Sequence, residues 1–250
     1  MTVRIGQALP SFVDDPEIPI NVARAAEAAG LDGVFVYDHL WRGDPPNRRP
    51  ALECFALLGA VAAETQRVQV GTLVARATLR PAATLANSFA SAQRVSGGRL
   101  IAAIGAGDSQ SRAEGEAFGL AFGSMVDRVN ALHDAVRATA GGDFPVWVGG
   151  RVAQVREIVA IADGWNSWGS RPERFVEQGA VVREISPHAT LTWGGLARPC
   201  EEGAAALADR LLPYVDAGAA WIILGPVDAS DPANAAVLGE VRARINAPAV

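Results

Sequence analysis

The stretch Gly33-Val34-Phe35-Val36-Tyr37-Asp38-His39 decides how the rest of the chain is read. Its first five residues are apolar or aromatic without alternation, the pattern of a parallel strand covered on both faces rather than an edge strand with one wet side. The run then stops on a carboxylate and an imidazole. Trp221-Ile222-Ile223-Leu224 has the same apolar character near the other end of the chain.

Working outward from residue 33, short β-branched runs alternate with longer Ala/Glu/Arg segments of helical period. The spacing predicts strands over Val3 to Leu9, Gly33 to Asp38, Val68 to Ala75, Arg99 to Ala106, Pro145 to Gly149, Gly164 to Trp168, Ala189 to Gly194 and Ala220 to Gly225. Helices are predicted over Pro16 to Ala29, Ala51 to Glu64, Pro81 to Val95, Met125 to Thr139, Val152 to Ala162, Pro172 to Ile185, Glu201 to Ala217 and Pro232 to Ile245. Pro16, Pro81, Pro172 and Pro232 fall at first turns, where the missing amide proton costs no hydrogen bond. Eight βα units predict a closed (β/α)8 TIM barrel over residues 1–250 as one domain, with an open doubly wound sheet as the alternative.

Composition removes several chemistries. All 22 basic residues are arginine, which excludes a Schiff-base lysine, a P-loop lysine and a lysine general base. A net charge of −5 without a basic run offers no footprint for nucleic acid. Apolar stretches such as Ala56 to Ala63 are shorter than a membrane span, and the N-terminal MTVRIGQALP enters a strand directly without an export pattern. A cytoplasmic protein with a small-molecule partner is expected. Cys54 and Cys200 are isolated, each in a helix-like context, and read as reduced thiols. Metal-spaced histidine pairs and a serine nucleophile elbow are missing, so metal and hydrolase readings lack their usual anchors.

In a barrel, active sites form where the carboxyl ends of the strands meet. On that side fall Asp38-His39-Leu40-Trp41, Gly105-Ala106-Gly107-Asp108, Gly149-Gly150 and Asn166-Ser167-Trp168. His39 suits an acid or base, and Asp38 beside it is expected to set its tautomer. Gly149-Gly150 before the helix-like Arg151-Val152-Ala153-Gln154 presents a helix start, an anion site to which Arg151 adds charge; a plain strand-to-helix turn explains the glycines equally well. The six tryptophans either wall a slot for a planar ring or pack in the core.

Taken together, Val36-Tyr37-Asp38-His39-Leu40, Val70-Gly71-Thr72-Leu73-Val74, Ser96-Gly97-Gly98-Arg99-Leu100 running on to Gly105-Ala106-Gly107, Ala117-Phe118-Gly119, Val148-Gly149-Gly150, Ala162-Asp163-Gly164-Trp165-Asn166, Thr192-Trp193-Gly194-Gly195 and Ala217 to Trp221 resemble the luciferase-like monooxygenase family, and within it the coenzyme F420-dependent branch of actinobacteria. The resemblance implies a cofactor ring lying across the mouth against a bulge in the third strand, with a non-proline cis peptide between Leu73 and Val74. It implies that Asp38 makes polar contact near the ring, that Gly105, Ala106 and Gly107 line ring and chain, and that Val148-Gly149-Gly150 meets the cofactor phosphate. Asp108 stands where some relatives carry a glutamate acid, one methylene longer. Where many relatives have Gly-Glu-Arg, this chain reads Gly123-Ser124-Met125-Val126-Asp127-Arg128, so the ionic contact of that arginine is expected to be missing.

The function so implied is hydride transfer between F420 and a small organic substrate, with His39 assisting the proton, in a protein that is a homodimer like many relatives. FMN with oxygen, giving a monooxygenase, is the alternative cofactor reading. A non-catalytic cofactor-binding barrel is the rival of another class. Specificity is expected in the mouth loops Trp41 to Pro50 and Asp108 to Ser124.

Overall fold

A computed structural model describes residues 2–43, 48–109 and 111–248. Eight parallel strand positions form the barrel: β1 (Arg4–Ala8), β2 (Gly33–Val36), β3 (Gln69–Thr72), β4 (Leu100–Gly105), β5 (Val146–Gly149), β6 (Gly164–Trp168), β7 (Thr190–Ala197) and β8 (Trp221–Pro226). Each pairs with its sequence neighbour, and β1 joins β8 through Arg4↔Trp221 and Ile5↔Ile222, which closes the ring and removes the open-sheet alternative. The helices around it are α1 (Glu17–Ala28), α2 (Cys54–Glu64), α3 (Ala82–Val95), α4 (Ser111–Ala117), α5 (Met125–Thr139), α6 (Val152–Val159), α7 (Pro172–Ile185), α8 (Pro199–Glu202), α9 (Ala204–Asp216) and α10 (Ala233–Ile245). None is long and apolar enough to cross a membrane. Cys54 is buried in the first turn of α2 and Cys200 is exposed on α8, both as free thiols.

The third strand departs from the expected continuous run. It breaks after Thr72 and resumes at Ala75–Arg76, which pairs with Ile104 and Gly105 of β4. Between the two pieces the Leu73–Val74 peptide is cis, at the bond the family resemblance implied. Where the ladder is interrupted, Thr72 Oγ1 donates to Ala103 O at 2.6 Å, so a side chain satisfies a carbonyl facing the break.

The barrel interior is filled by aromatic rings. Phe35, Trp147 and Trp221 lie with centroids 5.7–6.1 Å apart, beside Leu73, Ile101, Ala103 and Ile223. Glycines on neighbouring strands make the room: a Cβ at Gly6 would come within 2.7 Å of Phe35, and one at Gly164 within 2.7 Å of Trp147. Trp165 and Trp193 pack outside the barrel with Phe175 and Tyr214. Four of the six tryptophans therefore serve the core.

The closed end carries the fold's polar staples. Arg99 gives its guanidinium to Ala62 O, Thr65 O, Thr65 Oγ1, Val68 O and Ser96 O at 2.7–3.0 Å, tying the end of α2 and the following loop to the start of β4. Glu27 Oε1 accepts from three successive amides, Gln66, Arg67 and Val68. Asp32 binds Arg242 through both oxygens and accepts from Ile5 N. A small cavity of about 370 Å³ at this end is lined by Glu27, Arg67, Asp32 and Arg242 among others. At α5, Ser124 and Asp127 form a capping box, while Arg128 lies over Phe122 at 4.2 Å and donates to Gly123 O.

Candidate active site

The opposite end opens into a cavity of about 1480 Å³ lined by residues from the ends of seven strands and the loops that follow them. Its floor is the Leu73–Val74 peptide. Val74 lies across Gly105 and Gly149: its Cγ2 already occupies the place a Cβ on Gly105 would take, and its Cγ1 comes within 3.0 Å of one on Gly149. Both positions are glycine because the bulge leans on them. Ala106 and Gly107 (φ +75°) continue the floor outward, a shallow surface of backbone and small side chains suited to a flat ring.

One wall is built by alternation along β2 and its extension. Phe35 points into the barrel, Tyr37 stands above it, and His39 comes next on the same side, while Val36 turns into the outer core and Asp38, which also lines the cavity, is engaged by other partners than His39. Asp38 accordingly does not orient His39. Its carboxylate, 3% exposed, accepts from Arg80 Nη1 at 2.7 Å and Nη2 at 3.1 Å and from Arg76 N at 2.8 Å.

The partner of His39 is Glu114, 75 residues away on α4. Glu114 is 2% exposed; Oε1 lies 2.8 Å from His39 Nδ1 and 2.9 Å from Arg76 Nη1, and Oε2 accepts from Leu40 N at 2.6 Å. Burial alone would raise its carboxyl pKa, but the His39 hydrogen bond, the Leu40 amide and the charges of His39 and Arg76 together hold it below the ordinary range. Glu114 is therefore a carboxylate, His39 Nδ1 must donate to it, and Nε2 is the ring nitrogen left for a ligand. Arg76 is 4% exposed; Nε donates to Asp38 O at 2.8 Å, and Nη2 is buried without a partner among the described residues.

Neither Glu114 nor α4 belongs to the site as read from sequence, where residues 108–124 count as a loop. The signal was present in Asp108, whose Oδ1 accepts from Ser111 N and Oγ at 3.0 Å and so caps the start of α4. Gly115 in the middle of a seven-residue helix hides the period. Asp108 is exposed at the cavity rim, with one oxygen engaged in this cap.

Of the other residues singled out from sequence, Leu73, Val74, Gly105, Ala106, Gly107, Gly149, Gly150 and Arg151 all line the cavity. Thr72 and Val148 do not: both are fully buried beneath it. At the Gly149-Gly150 turn, Gly150 (φ +140°) precedes α6, and Trp165 Nε1 pins its carbonyl at 2.8 Å. The helix start is less free than expected, because Val152 N already donates to Gln178 Oε1 at 3.2 Å and Gly150 N to Asn166 O at 3.4 Å. In the mouth loop from Trp41 to Pro50, Trp41–Arg42 pairs with Arg49–Pro50, and residues 44–47 lie outside the described residues.

Comparison with known proteins gives this geometry a context. The sequence profile of luciferase-like monooxygenases matches residues 8–210. The F420-dependent glucose-6-phosphate dehydrogenase of Nakamurella multipartita is 33% identical over 153 residues, 60% of this chain and 42% of that protein. The protein of the same name from Amycolatopsis mediterranei is 28% identical over 224 residues, 87% of this chain and 63% of that protein. The chain thus spans less than two thirds of the length of either. Among solved structures, an F420-dependent secondary alcohol dehydrogenase in complex with an F420-acetone adduct superposes with a TM-score of 0.82 at 16% identity, covering 99% of this chain and 100% of that one.

Proposed function

The chain belongs to the luciferase-like monooxygenase family, and on that premise we propose that it is an F420-dependent oxidoreductase acting on a small organic substrate. The observation that carries the proposal is the pairing of His39 with Glu114 at the edge of a cavity whose floor is the Leu73–Val74 bulge. A fixed proton donor-acceptor beside a flat apolar floor is what hydride chemistry on a planar cofactor asks of a protein.

The residues present fit such a cofactor. Gly105 and Gly149 keep the floor low, since a side chain at either would collide with Val74. Leu73, Val74, Gly105, Ala106 and Gly107 would carry the ring, and Gly149, Gly150, Arg151 and the start of α6 its phosphate, in competition with the Gln178 carboxamide. The unpartnered Arg76 Nη2 is a further buried donor beside the floor. When bound, F420 supplies a two-electron hydride acceptor or donor at its ring.

The chain's own part is proton handling and position. With Nδ1–H held by Glu114, His39 Nε2 takes the proton of a substrate hydroxyl as its carbon loses hydride, and returns it in the reverse direction. The His39–Glu114–Arg76–Asp38–Arg80 network alternates in charge, so protonating His39 places a cation beside a carboxylate already fixed in place.

Fluorescence titration with oxidised F420 and with FMN tests the reading. Saturable F420 binding in the micromolar range, with FMN weaker by about tenfold or more, is expected; micromolar FMN binding without F420 binding overturns it. Unchanged turnover in His39→Ala across a substrate panel would instead favour a binding protein without catalysis.

A further inference from the structure

The substrate side of the cavity is made of rings. His39 and Phe12 lie with centroids 5.8 Å apart, Phe12 and Tyr37 stack at 6.3 Å and 21°, and Tyr37 meets Trp168 edge-on at 6.2 Å. The row begins at the proton-handling imidazole and runs across the mouth to the end of β6. Leu196 of β7 closes it. Trp168 and Leu196 are 45% and 55% exposed, large apolar groups left facing the cavity in a chain whose other tryptophans on β5, β6, β7 and β8 are nearly fully buried.

Gly225 at the end of β8 lets these side chains pack together. A Cβ there would come within 2.7 Å of the Tyr37 hydroxyl and 3.4 Å of both Leu196 and Trp168, so three side chains converge on backbone that glycine leaves bare. Polar groups nearby are occupied with each other: Ser167 Oγ donates to Ser170 Oγ, and Asn166 Nδ2 to Thr192 Oγ1. Arg42 lies over the Phe12 ring at 5.5 Å. The Tyr37 hydroxyl is different, because no hydrogen bond from the described residues reaches it. Burial pushes its pKa up to about 12, so it stays a donor at any ordinary pH.

Resting on the F420 reading above, we propose that the row Phe12, Tyr37, Trp168 and Leu196 is the substrate pocket. Its substrate class is a compound with an aromatic or alicyclic body whose carbonyl or hydroxyl oxygen accepts from the Tyr37 hydroxyl within reach of His39. This separates the chain from the sugar-phosphate activity in the names of its curated relatives. A hexose phosphate presents hydroxyls around its whole rim, and a wall of three rings and a leucine leaves most of them without partners. A flat apolar body loses nothing by the same contact.

The test uses the protein loaded with F420 and two probes, acetophenone and glucose 6-phosphate, followed by calorimetry and by tryptophan fluorescence. Acetophenone is expected to saturate with a Kd at least about tenfold below that of the sugar phosphate. Tyr37→Phe removes one neutral hydrogen bond and is expected to raise the acetophenone Kd roughly five- to tenfold while leaving F420 binding unchanged. Trp168→Ala should weaken acetophenone in the same way and abolish its fluorescence response. Equal or tighter binding of glucose 6-phosphate, no saturation by acetophenone, or an unchanged Kd in Tyr37→Phe overturns the proposal. Failure of F420 itself to bind is seen before either probe is added and strikes the cofactor reading instead.

Discussion

His39 and Asp38 are chain neighbours with different partners, and the difference follows from side-chain alternation at the end of β2. Both line the cavity, but His39 donates to Glu114, whereas Asp38 is held by Arg76 and Arg80 from the broken third strand and the turn after it. Replacing His39 by Ala is expected to lower kcat/KM by roughly 10²–10⁴-fold with the F420 Kd unchanged, the range for one positioned acid-base group. Glu114→Gln keeps the shape but frees the imidazole to adopt either tautomer and leaves Arg76 facing a neutral amide. Turnover should fall roughly 10²-fold or more, and denaturant unfolding should show a loss of roughly 3 kcal/mol, as for a buried pair broken on one side. Full activity in Glu114→Gln would show that His39 needs no orienting partner. That pairing was illegible in sequence because hydrogen-bond partners across 75 residues depend on where α4 docks, and Gly115 masks the helix that carries Glu114.

At the scale of elements, two glycine-dependent contacts organise the structure. The bulge after β3 rests on Gly105 of β4 and Gly149 of β5 through Val74. Gly105→Ala has to move Val74, so a loss of roughly 1–3 kcal/mol, as for overpacking, should accompany a weakening of F420 binding by about tenfold or more. Wild-type F420 affinity in that variant would mean the floor does not touch the cofactor. The Ser96-Gly97-Gly98-Arg99-Leu100 run, one of the family motifs, has a structural role. Gly97 (φ +65°) and Gly98 (φ +91°) turn the chain so that Arg99 reaches carbonyls in the last turn of α2 and the loop after it, at the end of the barrel away from the cavity. Arg99→Ala is expected to cost roughly 3 kcal/mol in urea unfolding, from several buried carbonyls left without donors, with the F420 Kd of the folded protein unchanged. The positions of the strands and of most helices were legible to within a few residues, since each is announced by a local period and a proline or glycine at its ends. The interruption at residues 73–74 came from the family resemblance, because Val68 to Ala75 reads as one unbroken strand.

The whole molecule divides into a closed end that holds the fold and an open end that carries chemistry. At the closed end Glu27 takes three amides on one oxygen; burial alone would raise its pKa, but those amides and the Arg67 charge hold it below the ordinary carboxylate range. Glu114 is displaced the same way at the open end. Stabilisation from a lowered carboxylate is present above the unfolded-state value of about 4.3 and is lost as pH falls through the folded-state value. The melting temperature should therefore be level from neutrality to about pH 5 and fall only in more acid solution. Glu27→Gln should be less stable than the parent at pH 7, with the gap narrowing as the pH drops; a gap independent of pH would mean the amides bind the neutral side chain as well. By itself the sequence determined eight βα units, the mouth at which polar residues gather, the exclusion of lysine chemistry and, through its motifs, the family, since all of these rest on local period, composition or short patterns. Only the tertiary structure decided which carboxylate serves His39, that Asp38 belongs to two arginines, that four tryptophans are core, and that Tyr37 and Trp168 face the same space. Those outcomes depend on side chains brought together by barrel closure and helix docking, and no local pattern encodes which distant partner a side chain will meet.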